Sequence, residues 1–169
     1  MSSFTRPLKT EVLSKSRRIL QPFRFWLGRK YCTPYVTVPY GLVFDGASIP
    51  KFLWPVVGHP YDSDFVQAAA VHDYLYQNLG RVTIPIGFCD YTPTILYVGM
   101  FKTKKLVANW HISGSKLVIQ YTRKGCDMIL YLGCKVLPCS NWKANIIYEG
   151  VRLGGWHAWN KYKRKVKND

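Results

Sequence analysis

The stretch 68–76, AAAVHDYLY, decides how the rest of the chain is read. Its composition predicts a helix. On a helix, adjacent residues diverge by about 100° and residues four apart stack on one side, so His72 and Tyr76 share a face and Asp73 points to its flank. The helix is expected over 65–79, with Asp64 placed to cap it, Gln67 completing a capping box three residues on, and Gly80 as the stop. Val71, Leu75 and Leu79, with Ala68 alongside, form an apolar stripe on the other side for packing against a core. A histidine and a carboxylate beside such a stripe sit where proton affinities are tuned. A bare His-Asp dipeptide is also a common surface or capping feature. Scarcity sets this one apart: the chain has nine acids against 24 lysines and arginines.

With 169 residues and 48% hydrophobic content, the chain is long enough for one core and is expected to form a single domain. Its formal charge of +15 calls for an anionic partner: nucleic acid, an anionic membrane surface or an acidic protein. The five cysteines show no CxxC pair or zinc spacing and read as reduced thiols. No signal-peptide pattern opens the chain, and no run approaches the ~18 apolar residues of a membrane span. A soluble protein of the cytoplasm is expected.

Residues 1–30 interleave Lys and Arg with Phe23, Phe25 and Trp26, which suits either an N-terminal arm on an anionic surface or a first strand with a basic exterior. Residues 35–44 alternate and predict two short strands, or one broken at Pro39 and Gly41. Asp45 opens the turn DGASIP and is either a turn-former or an oxygen donor on a rigid loop. Lys51 to Trp54 is expected as a helical turn closed by Pro55, and His59 as a loop residue. Within 80–122 the period changes to two, predicting an inserted β-meander with strands at 94–101, 105–112 and 116–121. Asp127 is placed to cap a helix at 128–136 that Pro138 ends. A last helix is expected over 142–162, with Gly150 and Gly154 permitting close approach, then a basic tail over 161–169. The fold class is α+β: a small helical core carrying the His72 helix, with short antiparallel strands.

Four segments occur in order: VPYGLVFDGASIPKFLWPVVG, AAAVHDYLYQ, RKGCDMILYLGCKVL and WKANIIYEGVRLGGWHAW. Together they resemble the phage and prophage family catalogued as domain of unknown function 1353, which reads VPxGFxTDGASIPR, AAxxHDxLY, ADxxF and VRxxGxxxW. The stretch 80–122 stands where that family has a short connection. The resemblance implies a protein of the infected bacterium's cytoplasm, with incorporation into the virion as a further expectation.

His72-Asp73-x-x-Tyr76 followed by Asp127 is also similar to the HDxxY and later Asp of phospholipase A₂, in its disulfide-poor viral form. That similarity implies His72 as general base, Asp127 as the carboxylate orienting its ring, Tyr76 as a donor to Asp127, and Asp73 as a ligand of Ca²⁺. PYGLVFDGAS stands where the lipases carry a Gly-rich metal loop, which makes Asp45 the second metal candidate. Leu75 occupies the position of the motif cysteine. The expected function is a metal-assisted hydrolase of lipid or other envelope ester or amide bonds, with His72 in reach of Asp127 beside an open cavity. Two alternatives stand with it: a structural or adaptor component of a phage particle, and a polyanion-binding protein.

Overall fold

The computed structural model describes residues 2–28, 34–46, 54–58, 64–85 and 108–168. The α+β class is as expected, with three small antiparallel sheets and five helices among those residues. The sequence predictions over 94–101, the residues around His59, Cys32 and Cys89 lie outside them.

The N-terminal region is made of strands. β1 (Ser3–Phe4), β4 (Phe23–Trp26) and β5 (Tyr35–Val38) form one sheet in the order β1-β4-β5, with Phe23 opposite Val38 and Phe25 opposite Val36. Phe23, Phe25 and Trp26 are buried, while Arg24 turns outward to lie 4.8 Å from the Tyr35 ring centroid. Period-two alternation thus puts Phe23 and Phe25 on one face and Arg24 with Trp26 on the other, where both lie against the Tyr35 ring. β2 (Thr10–Val12), β3 (Arg17–Ile19) and β6 (Val43–Phe44) form the second sheet, and Gly41, at φ 80°, turns the chain between β5 and β6.

α1 (Trp54–Val57) contains Pro55, so a helix runs on past that proline, while residues 51–53 of the expected helical turn lie outside the described residues. A proline is suited to the first turn because its missing N–H has no intrahelical partner there. The third sheet joins β7 (Arg81–Pro85), β8 (Ala108–Ser113) and β9 (Lys116–Tyr121) in the order β7-β9-β8. A hairpin joins β8 and β9 as expected, but its turn is Gly114-Ser115, because Ser113 pairs with Lys116. The outer strand paired with β9 is 81–85, directly after the His72 helix, which the period-two reading had not assigned to a strand.

α2 (Val66–Gln77) carries the HDxxY segment. Its expected cap is not formed: Phe65 holds the cap position, the Gln67 side chain donates to the Arg6 carbonyl, and Asp64 pairs with Lys143 at 2.6 Å. Long-range partners have taken both capping side chains. The expected apolar stripe packs on the core through Val71 and Leu75, and the His72–Tyr76 face is buried as well. One side meets Leu130 and Cys134 through Phe65, Ala68 and Ala69, and the other meets the β4–β5 sheet through Val71, Leu75 and Tyr76. The close approach depends on small residues: a Cβ on Gly133 would lie 2.7 Å from the Ala68 Cβ.

α3 (Arg123–Val136) starts earlier than expected, because Thr122 is its cap and accepts from the Gly125 N–H at 3.1 Å. Asp127 is therefore inside the helix on its buried face, not at its end. The single terminal helix is two, α4 (Asn141–Gly154) and α5 (Trp156–Asn168), parted at Gly155. A Cβ there would sit 2.6 Å from the Tyr76 hydroxyl, so Gly155 presses against α2. The basic tail of the sequence reading is the body of α5.

Candidate functional site

Asp127 is the hub of a buried polar network. Its Oδ1 accepts from the Tyr76 hydroxyl at 2.5 Å and lies 3.0 Å from His72 Nε2; its Oδ2 accepts from Arg152 Nη1 at 2.6 Å, with Arg123 Nη1 at 3.6 Å. Each partner follows from local geometry. His72 and Tyr76 are one turn apart on α2, with ring centroids 4.1 Å apart. Arg123 precedes Asp127 by one turn on α3, and Arg152 lies in the last turn of α4. Trp159 of α5 closes the group edge-on to Tyr76 at 5.1 Å.

Burial pushes the Asp127 carboxyl up, but the donors His72, Tyr76 and Arg152 outweigh it and hold its pKa below the usual carboxylate value. An ionised Asp127 requires Nε2 of His72 to carry the hydrogen and donate. Nδ1 is then the acceptor of the neutral ring, and among the described residues it has no hydrogen-bond partner although it is buried. Asp73 Oδ1 lies 3.8 Å from it. For His72, burial lowers the pKa, yet the carboxylates of Asp127 and Asp73 together carry it above the ordinary imidazole value.

Asp73 is pushed up to about 7, first by burial and, against the pull of His72, by the neighbouring Asp45 carboxylate. Its Oδ2 accepts from the Asp45 backbone N–H at 3.2 Å. Asp45 itself is exposed beyond β6. The two carboxylates offer hard oxygen of the kind Ca²⁺ takes, and their mutual repulsion is what a divalent cation would relieve. Donor chemistry thus fits the ion, while among the described residues no group of three or more His, Cys, Asp or Glu side chains is arranged to hold a metal.

All five sequence-derived site residues, His72, Asp73, Tyr76, Asp127 and Asp45, come into one connected cluster. Two features differ from the sequence reading. The His72 ring is 0% exposed, so the cavity expected beside it does not open onto the ring. Arg152, Arg123 and Trp159 belong to the network and had not been singled out. The signal for Arg152 was electrostatic: a buried acid in so basic a chain requires a cation from another element.

The model of a family described as a protein of unknown function (DUF1353) matches residues 18–151, well over half of the chain. The chain belongs to that family. The match takes in the β3–β6 strands, the HDxxY helix, Asp127 and most of α4, and stops at Val151, one residue before Arg152. A curated relative, the uncharacterized protein y4jT of Sinorhizobium fredii (strain NBRC 101917 / NGR234), is 39% identical over 44 residues. That alignment covers 26% of this chain and 13% of the relative's length. No solved structure matches.

Proposed function

We propose that this chain is a hydrolase in which His72 is the general base, acting on a water molecule that meets Nδ1 once the site opens, because the ring is fully buried in the resting structure. The observation that carries this reading is that buried nitrogen, without a partner among the described residues, opposite an Nε2 tied to Asp127. In a purely structural network a buried acceptor without a partner is a standing loss of about 1–3 kcal/mol, whereas a base needs that lone pair free. Asp127 holds the ring and stabilises the imidazolium formed when the proton is taken. Tyr76 and Arg152 keep Asp127 in place and ionised. Asp73 and Asp45 would hold Ca²⁺, which when bound supplies polarisation of the scissile carbonyl. The substrates of this reading are lipid or other envelope ester or amide bonds. Its setting is phage infection, in the bacterial cytoplasm or carried in the virion, as the resemblance implies.

A fatty-acid release assay on phospholipid vesicles, with a soluble short-chain ester in parallel and Ca²⁺ or a chelator added, tests it. Turnover is expected to fall by roughly 10²–10⁴ in His72→Asn. It should also rise with pH through the elevated His72 pKa, since the base must be neutral. A wild-type protein that turns over none of these substrates above buffer, with and without Ca²⁺, ends the reading.

The complete burial of the His72 ring favours a second reading, a non-catalytic structural or adaptor component of a phage particle. There the same network ties α2, α3 and α4 together, since a satisfied polar cluster specifies a unique packing. His72→Asn would then lower the melting temperature and change nothing else measurable.

A further inference from the structure

The helix α5 divides cleanly by face. Gly155 just before it, with Ala158, Trp159 and Tyr162, points inward; Trp159 meets Tyr76, and Ala158, Trp159 and Tyr162 pack on the main apolar cluster. Trp156, His157, Asn160, Lys161, Lys163, Arg164 and Lys165 are all exposed. At about 100° per residue these side chains cover an arc of about 200°, centred opposite the buried one. The helix has no acid anywhere along it. Five of the outward residues, Trp156, His157, Asn160, Lys163 and Arg164, line one hollow of about 370 Å³. Trp156 is 48% exposed, and Leu153, one turn earlier, is 68% exposed. Glu149 is the exposed acid of α4 on the approach to this end.

We propose that the outer face of α5 is a docking surface for an anionic phospholipid bilayer. Charge complementarity sets the sign of the partner, and the apolar residues choose among anionic partners. A tryptophan and a leucine displayed beside clustered cations match an interface where headgroups are charged and the layer beneath is apolar. Duplex nucleic acid would take the cations but leaves Leu153 without a favourable contact. Because its apolar face is already packed on α2, α5 docks flat through headgroup contacts and two apolar anchors, without inserting its length. The proposal is independent of hydrolysis: it concerns a face other than the His72 cluster, and its readout is binding.

The test is co-sedimentation of the full chain with vesicles of phosphatidylcholine alone or with 30 mol% phosphatidylglycerol, at low and moderate salt, beside a fluorescent DNA duplex. Each basic residue near an anionic surface contributes about 5-fold, so Lys163→Ala/Arg164→Ala/Lys165→Ala should weaken vesicle binding on the order of 100-fold. All three are exposed, and circular dichroism should show the fold retained. Removing exposed cations elsewhere, as in Lys9→Ala/Arg81→Ala/Lys116→Ala, should change binding only a few-fold. Trp156→Ser should weaken it with no change in charge. Equal loss in both triple variants would mean that net charge alone is read, and would overturn the assignment. Tighter binding to the duplex than to the anionic vesicles would overturn it too, as would a wild-type protein that ignores phosphatidylglycerol.

Discussion

Replacing Asp127 by asparagine keeps the shape of the hub and removes its charge. The wild-type carboxylate accepts from Tyr76, His72 and Arg152, with Arg123 close by. An asparagine has one acceptor oxygen. If that oxygen serves Tyr76 and His72, the amide NH₂ faces Arg152, donor against donor, at the 2.6 Å now occupied by an ion pair. Breaking one partner out of a buried pair costs about 3–5 kcal/mol. The arginine side chains of Arg152 and Arg123 are 27% and 23% exposed, so water can re-solvate them and the lower end applies. The expected loss is about 3 kcal/mol, or roughly 6–12 °C in melting temperature for a chain of this size. Tyr76→Phe, which deletes one donor and leaves the charge paired, should lose only about 1.5–2 kcal/mol. Urea unfolding followed by far-ultraviolet circular dichroism measures both. A D127N protein within about 0.5 kcal/mol of wild type, or a Y76F protein the less stable of the two, would refute the hub.

Gly155→Ala places a methyl 2.6 Å from both the Tyr76 hydroxyl and the Val151 carbonyl, so an overpacking loss of about 1–3 kcal/mol is expected in the urea midpoint. An unchanged midpoint would mean the α4–α5 junction does not press on Tyr76. Gly80→Ala should be worse, above about 2 kcal/mol, because φ is +80° and the new Cβ would lie 2.1 Å from the Tyr121 backbone oxygen, which has no rotamer to escape by. Stability should also depend on pH in an unusual direction. Folded Asp73 keeps its proton up to about 7, whereas unfolded it loses the proton near about 3.9, so the folded state binds more protons between and stability falls as pH rises through that window. His72 acts in the same direction higher up: its contribution is complete below the unfolded value of about 6.5 and is lost as pH rises through its elevated folded pKa. Asp127 is the reverse case, stabilising above about 3.9 and losing that as pH drops through its lowered pKa. Equilibrium unfolding across pH 4–8 should show the midpoint declining toward pH 8, and Asp73→Asn should flatten its lower half. A midpoint rising across that range in the wild type would contradict the assigned environments.

Short-range rules were enough for much of this molecule. The i, i+4 spacing of His72 and Tyr76 put both on one face of α2, alternation marked β5, β6, β8 and β9, and Pro138 marked where α3 had to stop. The five candidate residues that meet in the cluster could be picked out for the same reason, since a scarce acid in an apolar segment and a motif order are both properties of a string. Where α3 begins was not legible from Asp127 alone, because Thr122 and Asp127 both suit a cap and only the fold's demand for a buried carboxylate chooses between them. Nor was the cation that answers it: Arg152 reaches Asp127 from another helix, 25 residues away. The break at Gly155 likewise depends on Tyr76 lying against it, a contact between segments that no local propensity records. Charge and periodicity act along the chain, so they can be read from it. Burial of the His72 ring on every side, and a nitrogen left without a partner among the described residues, arise only when several elements close on one point.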